Sequence, residues 1–214
     1  MKTAPQKYQL ILRAAEKLGC AIEAAPSGWV GGAFNAELLG STASRRSIER
    51  DERDLPDLVA ASRIDDTPVL VGELKGPPDR AVIEEQMRRY RNQAMIARSW
   101  LGEEGPNLQV FLISPAGARG SQDWRQRAAQ IEADDRICRK LVWMIETTAT
   151  LEGAVEFMGR TFAARPWTQR EGMPTALDEL EIGLPVGWDA AVDSDELDAE
   201  GVVREIVRME GEAE

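Results

Sequence analysis

Short apolar runs and long amphipathic stretches alternate along this chain, and that alternation limits the folds open to it. Between residues 79 and 101, apolar side chains recur every three or four positions, which predicts one long amphipathic helix. The runs on either side, "PVLVGELKG" at 68–76 and "LQVFLISP" at 108–115, are rich in Val and Leu and predict buried strands. A helix between two such strands is typical of an α/β fold.

The remaining segments extend this pattern. Helical spacing predicts a first helix over 5–19, and a strand is predicted at 55–62 with a tight turn, "RIDDTP", after it. Beyond residue 115 the predicted order is helix, strand, helix, in "SQDWRQRAAQIEADD", "RICRKLVWMIE" and "TLEGAVEFMGRTFAARPW". We therefore predict an α/β domain with a mixed central β-sheet of about four to five strands, flanked by helices.

Charge divides the chain into two parts. The formal net charge of the 214 residues is −11, but the imbalance is concentrated at the end of the chain. Residues 171–214 contain 14 acidic residues against Arg204 and Arg208, whereas residues 1–170 contain 24 basic and 23 acidic residues. We predict one folded domain over 1–168 and an acidic C-terminal extension over 169–214. The acidity of the whole chain therefore does not argue against nucleic-acid binding by the folded domain.

Composition excludes several kinds of chemistry. The chain contains no histidine, which rules out triads with a histidine base and histidine-ligated zinc sites. Its two cysteines, Cys20 and Cys138, form no CxxC motif and indicate neither a disulfide framework nor a zinc site. No apolar run is long enough to span a bilayer, and the N-terminus lacks a signal-peptide pattern. We expect a cytoplasmic protein with no membrane partner.

Two residues of opposite charge, Glu73 and Lys75, stand near the end of the apolar run 68–76. Positions two apart on a strand point to the same side, so these side chains would share one face. Asp57, on the strand predicted before it, can bring a second carboxylate to the same place. Two carboxylates suit Mg²⁺ or Mn²⁺, and a lysine beside them can orient an attacking water. The alternative is a surface ion pair that contributes at most about 1 kcal/mol.

The segments "LPDLVA" and "VGELKG" resemble the PD-(D/E)xK signature of restriction-endonuclease-like phosphodiesterases, with Pro56-Asp57 and Glu73-Leu74-Lys75 in its places. The helix that follows contains Gln86 and Tyr90, which match the QxxxY element of RecB-like exonucleases. The resemblance covers residues 50–115 in outline and implies a restriction-endonuclease-like core.

The same resemblance implies roles for individual residues. A metal ion would be held by Asp57, Glu73 and the backbone carbonyl of Leu74. Lys75 would act on the attacking water. Gln86 and Tyr90 would support the site from the helix, where residues four apart share one face.

Further candidates surround this site. Relatives often contribute one more acid from a helix upstream, and this chain offers Glu16, Glu37, Glu49 and Glu52. Three arginines on the long helix are predicted to contact the phosphate backbone of nucleic acid beside the site: Arg88, Arg89 and Arg91. The alternative for these arginines is a solvated helix face.

These features predict a Mg²⁺-dependent nuclease that hydrolyses phosphodiester bonds in DNA. By analogy with small stand-alone relatives, we consider it the nuclease subunit of a bacterial multi-component defence or repair system, with an ATPase or another subunit as partner. Many relatives also pair as homodimers to cut both strands. The alternative function is a non-catalytic subunit that keeps the nuclease fold and binds DNA or a partner protein. For the acidic extension, three roles stay open: a solvated tail, a partner-docking segment, or a nucleic-acid mimic that restrains cleavage.

Overall fold

A computed structural model describes residues 6–35 and 49–164, together with 201, 203, 204 and 207–209. The chain divides into two units, Met1–Arg165 and Pro166–Glu214. In the second unit the six described residues are helical, and the rest of the predicted acidic extension lies outside the described residues. None of the helices in the described residues has both the length and the apolar character that a membrane span requires.

Four α-helices and five strands make up the described part of the first unit. In chain order they are α1 (Gln6–Lys17), β1 (Ile22–Ala24), β2 (Val59–Ile64), β3 (Thr67–Glu73), α2 (Arg80–Leu101), β4 (Gln109–Ile113), α3 (Gln122–Ala133), β5 (Arg139–Trp143) and α4 (Leu151–Met158). All four helices and four of the five strands were predicted from the sequence. The short strand β1 was not.

The five strands form one mixed sheet in the order β1-β2-β3-β4-β5. β1, β2 and β3 pair antiparallel, whereas β3, β4 and β5 pair parallel. Parallel neighbours need a crossover, and α2 and α3 supply the two that this sheet requires. The fold class is therefore confirmed: an α/β unit with a mixed five-stranded sheet flanked by helices.

Helices pack on both faces of this sheet, and β3 is buried between them. Val69 and Val71 of β3 belong to the core that α1 and α4 cover, while Leu70 belongs to the core under α2 and α3. Burial of each such side chain contributes about 1.5–3 kcal/mol. The continuous apolar run of β3 follows from this two-sided burial, as the sequence predicted.

Two strand boundaries differ from the sequence prediction, and both differences bear on the site. β2 begins only at Val59, so Asp57 precedes the strand instead of lying on it. β3 ends at Glu73, whose pairing with Ile113 is the last that β3 makes with β4. The prediction that Lys75 lies on the strand was therefore wrong.

The turn between β2 and β3 is shorter than the predicted "RIDDTP". It consists of Asp65 and Asp66, with φ of 42° and 59°. Two successive residues with positive φ form the tight hairpin connection whose twist matches that of the strands. Asp and Asn tolerate this conformation better than most residues, which explains the pair of aspartates.

Helix α2 agrees closely with its prediction. Its predicted apolar positions are buried against the sheet, among them Ile83, Met87 and Tyr90. Asp79 occupies the N-cap position, although its side chain makes no capping hydrogen bond. Ser121 caps α3, since its side chain accepts a hydrogen bond from the Trp124 amide.

Candidate active site

A cleft of about 430 Å³ opens where the chain leaves β3 and turns into α2. All five side chains predicted to be catalytic line this cleft, and they come from three separate segments of the chain. The lining residues are Pro56, Asp57, Leu58, Glu73, Lys75, Gly76, Val82, Glu85, Gln86, Arg89 and Tyr90. We call this space the β3 cleft.

The connection between β3 and α2 brings these segments together. Gly76 has a φ of 76°, a left-handed conformation that glycine adopts without the strain of a side chain. Two prolines follow, and the Arg127 side chain donates a hydrogen bond to the carbonyl of Pro78, 3.2 Å away. The connection thus places the first turns of α2 beside the end of β3.

Gln86 and Tyr90 hold the backbone at the end of β3. The Tyr90 hydroxyl donates to the carbonyl of Glu73 over 2.8 Å. The Gln86 amide accepts from the N–H of Lys75 over 2.8 Å and donates to its carbonyl over 2.9 Å. Because Leu74 lies between these anchored residues, the QxxxY pair fixes the backbone of the whole Glu73-Leu74-Lys75 segment.

Tyr90 acts as a hydrogen-bond donor throughout the ordinary pH range. Its side chain is buried under the cleft, and burial raises the pKa of the phenol well above its usual value. The phenol therefore stays protonated and keeps its bond to the carbonyl of Glu73.

Asp57 is an exposed carboxylate with two cationic neighbours. Lys75 Nζ donates to its Oδ2 over 2.9 Å, and Arg89 Nη1 lies 3.5 Å from its Oδ1. The hydrogen bond from Lys75 is the main cause that lowers the pKa of Asp57, with the charge of Arg89 adding to it. Asp57 is therefore ionised at neutral pH, as a metal ligand must be.

Glu73 pairs with a lysine that the sequence analysis did not identify. Lys7 of α1 donates from Nζ to Glu73 Oε2 over 2.8 Å, and both side chains are partly buried. Lys7 lies 66 residues before its partner. A contact between residues so far apart in sequence leaves no periodic pattern. The local signal in the sequence is the next residue, Tyr8, whose side chain lies on the buried face of α1.

The three arginines predicted to bind nucleic acid do not share one surface. Only Arg89 lines the cleft. Arg88 pairs with Asp54 over 2.6 Å and with Glu85. Arg91 instead points toward α3, with Asp134 at 3.5 Å.

Glu85 organises two of these arginines and was missed by the sequence analysis. It accepts hydrogen bonds from Arg88 at 3.0 Å and from Arg89 at 3.1 Å. These bonds lower its pKa to about 2. The signal in the sequence was the spacing of three and four residues on one helix, which also describes many ordinary surface ion pairs.

The candidates for an additional upstream acid do not reach the cleft where they are described. Glu16 lies nine residues after Lys7 on α1, which is about 14 Å along the helix and on its opposite side. Glu49 forms an isolated bridge with Ala33, and Glu52 begins a 3₁₀ turn. Glu37 lies outside the described residues.

The donor set of the cleft is compatible with a hard divalent cation. Asp57 and Glu73 contribute carboxylate oxygens at one cleft, and Mg²⁺ is commonly held by one or two carboxylates together with waters and substrate phosphates. Within residues 6–35 and 49–164 no group of three or more acidic or cysteine side chains is arranged to hold a metal. Of the three predicted ligands, Asp57 and Glu73 line the cleft, whereas Leu74 is not among its lining residues. A third carboxylate, Glu85, also lines the cleft but pairs with Arg88 and Arg89.

Part of the chain is similar to a family of proteins that are components of a multi-component system. Residues 79–164 match the family model described as ABC-three component (ABC-3C) system Middle Component 1. No curated protein and no solved structure matches the chain. The matched region spans less than half of the chain and runs from the start of α2 to the end of α4 and the turn after it.

The match includes one wall of the β3 cleft and excludes the other. Gln86, Arg89 and Tyr90 lie inside it, while Asp57 and the Glu73-Leu74-Lys75 segment precede it. The resemblance to PD-(D/E)xK nucleases, which depends on those earlier residues, stays a prediction. The similarity supports the expectation that the chain is part of a multi-component system.

Proposed function

We propose that the β3 cleft is a Mg²⁺-dependent phosphodiesterase site that cuts DNA. One observation carries the proposal: Asp57, Glu73, Lys75, Gln86 and Tyr90 come from three chain segments and line one cleft. A chance match to a tripeptide motif has no reason to bring a separate aspartate and a separate QxxxY pair to the same cleft. The resemblance to PD-(D/E)xK nucleases with a RecB-like QxxxY element implies this combination.

In this proposal Asp57, Glu73 and the Leu74 carbonyl hold Mg²⁺ or Mn²⁺. Such an ion would neutralise charge on the phosphate and lower the pKa of a bound water. Lys75 already lies 2.9 Å from Asp57, so its ammonium is at hand to orient a water beside the phosphate. Arg89 is the residue of the cleft suited to bind a phosphate oxygen of the nucleic acid.

Gln86 and Tyr90 have a different role in this proposal, because neither transfers a proton. Their hydrogen bonds to the backbone of Glu73 and Lys75 keep two reacting side chains at a constant separation. Fixed positions of this kind lower the cost of orienting the reacting groups. We therefore assign them as positioning residues.

We also propose that the protein acts as a subunit of a multi-component system. The similarity of residues 79–164 to a middle component supports protein partners, and we propose an ATPase or another subunit as the partner, with the acidic extension as its docking segment. A homodimer would supply two clefts for two DNA strands. We propose the cytoplasm as the compartment.

The deciding experiment is a cleavage assay on circular and linear DNA, single- and double-stranded, with Mg²⁺ and with EDTA. RNA of the same sequence is a further substrate. We expect Mg²⁺-dependent cleavage of DNA by the wild-type protein and a loss of about 100-fold or more for Glu73→Gln and Lys75→Ala. Glu16→Gln, on the exposed side of α1, is the matched control. Cleavage at wild-type rates by both cleft variants would refute the proposed site.

A second candidate is a non-catalytic subunit that binds DNA or a partner protein. One observation favours it: each of the two carboxylates already contacts side-chain cations, Lys7 at Glu73 and both Lys75 and Arg89 at Asp57. DNA binding that is the same with Mg²⁺ and with EDTA, together with no cleavage of any substrate, would favour this function over the first.

A further inference from the structure

Lys7 approaches the cleft from α1, outside every motif that defines the site. Its ammonium lies 2.8 Å from Glu73 Oε2. The next residue, Tyr8, is buried and donates from its hydroxyl to the carbonyl of Ala61, 3.1 Å away, which fixes the first turn of α1 against β2. Lys7 is therefore held beside Glu73 by the packing of its helix and is more than a mobile surface lysine that happens to pair.

The two lysine–carboxylate pairs of the cleft differ in their access to water. In the pair of Lys75 with Asp57, the side chains are 63% and 65% exposed. In the pair of Lys7 with Glu73, they are 32% and 24% exposed. Water screens the first pair strongly and the second much less, so the ammonium of Lys7 interacts more strongly with its carboxylate.

The negative charges of the two carboxylates are already offset by neighbouring cations without a metal. Asp57 and Glu73 supply two negative charges, Lys7 and Lys75 supply two positive ones, and Arg89, shared with Glu85, lies beside Asp57 as a third cation. A divalent cation that enters here meets like charges at short range, and the least screened of them is Lys7.

We propose that Lys7 is a built-in counter-ion of Glu73 that competes with the divalent cation and keeps the metal affinity of the cleft low. The ammonium and the metal require the same carboxylate, so binding of one weakens binding of the other. This inference rests on the proposed metal site and adds a residue that controls how readily that site is loaded.

A titration of the full chain with Mn²⁺, followed by electron paramagnetic resonance, tests the proposal without any need for activity. We expect Lys7→Met to bind Mn²⁺ at least about tenfold more tightly than the wild type, because Glu73 loses its competing cation. Lys17→Met removes an exposed lysine from the last turn of the same helix and serves as the control, with wild-type affinity expected.

Two further variants separate competition from a merely structural role. Lys7→Arg keeps the positive charge and should retain wild-type Mn²⁺ affinity. Lys7→Gln keeps a hydrogen-bond donor without the charge and should bind as tightly as Lys7→Met. If Lys7 only holds Glu73 in position, both uncharged variants will bind Mn²⁺ as tightly as the wild type or more weakly. That result refutes the proposal.

Asp57→Asn distinguishes failure of this inference from failure of the proposed function. If Asp57→Asn weakens Mn²⁺ binding while Lys7→Met leaves it unchanged, the metal site exists and Lys7 does not compete for it. If wild type, Lys7→Met and Asp57→Asn all fail to bind Mn²⁺, the metal site and this inference are both wrong. Circular dichroism of each variant verifies that it is folded as the wild type is.

Discussion

The ring of Tyr90 lies directly against the backbone of Gly72, so that a Cβ atom at residue 72 would be 2.1 Å from the ring. This contact is tighter than any real side chain permits, and the ring is buried between α2 and the sheet. Gly72 therefore allows Tyr90 to reach the carbonyl of Glu73. A glycine in the strand and a tyrosine in the helix form one structural unit at the base of the β3 cleft.

We predict that Gly72→Ala destabilises the protein by about 1–3 kcal/mol, because the new methyl group forces the Tyr90 ring or β3 to move. Urea unfolding followed by circular dichroism measures this loss. Gly120→Ala is the matched control, since a Cβ there meets no atom within 4 Å. An unchanged unfolding midpoint for Gly72→Ala would show that the ring adapts without cost.

We predict that Tyr90→Phe lowers the free energy of unfolding by about 1 kcal/mol, because the carbonyl of Glu73 loses its donor. DNA cleavage by the same variant should fall as well, since the end of β3 is less well fixed. The measurements are urea unfolding and the Mg²⁺-dependent cleavage assay on one preparation.

Asn92→Ala is the control for this prediction. It removes a hydrogen bond of the same kind from the same helix, between the Asn92 side chain and the carbonyl of Asp54, and Asn92 does not line the cleft. We expect a similar loss of stability with cleavage unaffected. Equal losses of cleavage in both variants would indicate a general effect of stability and not a positioning role for Tyr90.

The pH dependence of stability should reveal the Glu85 ion pairs. Arg88 and Arg89 lower the pKa of Glu85 from 4.5 to about 2 in the folded protein. A carboxyl group with a lowered folded-state pKa stabilises the protein above its unfolded-state pKa, and that contribution is lost as the pH falls through the folded-state value. Wild type should therefore be more stable than Glu85→Gln at pH 6, and the difference should shrink between pH 4.5 and about 2.

Urea unfolding of both proteins at pH 6, 4 and 3 measures this difference, with Glu16→Gln as a control at an exposed position on α1. Because Glu85 and Arg88 are solvent-exposed, added salt should reduce the effect. A difference that stays constant across the three pH values would mean that the charge of Glu85 contributes nothing to folding.

The sequence predicted the elements of the fold because their signals are local. The apolar spacing of Ile83, Met87 and Tyr90 was enough to locate α2 and its buried face. β1, with three residues from Ile22 to Ala24, is too short to show a period and was missed. Lys7 was missed for a different reason, since its pairing with Glu73 arises only when α1 packs beside β3.

The site was predicted less completely than the fold. Motif positions identified Asp57 and Lys75, which line one cleft even though neither lies on a strand. The two residues meet because β2 and β3 are antiparallel, so the start of β2 lies beside the end of β3. The arginines of α2 looked equivalent in the sequence. Their different ion pairs depend on what packs on each side of the helix, and a pattern of charges alone does not contain that information.

The different surroundings of Arg89 and Arg91 lead to a prediction about DNA binding. Arg89 lines the cleft, whereas Arg91 pairs with Glu84 and Asp134 beside α3. We predict that Arg89→Ala weakens DNA binding and lowers the slope of log affinity against log salt by about 1, the value for one phosphate contact. Arg91→Ala should leave both quantities unchanged. Fluorescence anisotropy of a labelled oligonucleotide over a range of salt concentrations, in EDTA to prevent cleavage, measures both. If Arg91→Ala reduces the slope and Arg89→Ala does not, DNA runs along the α3 side of the helix and the β3 cleft is not its binding site.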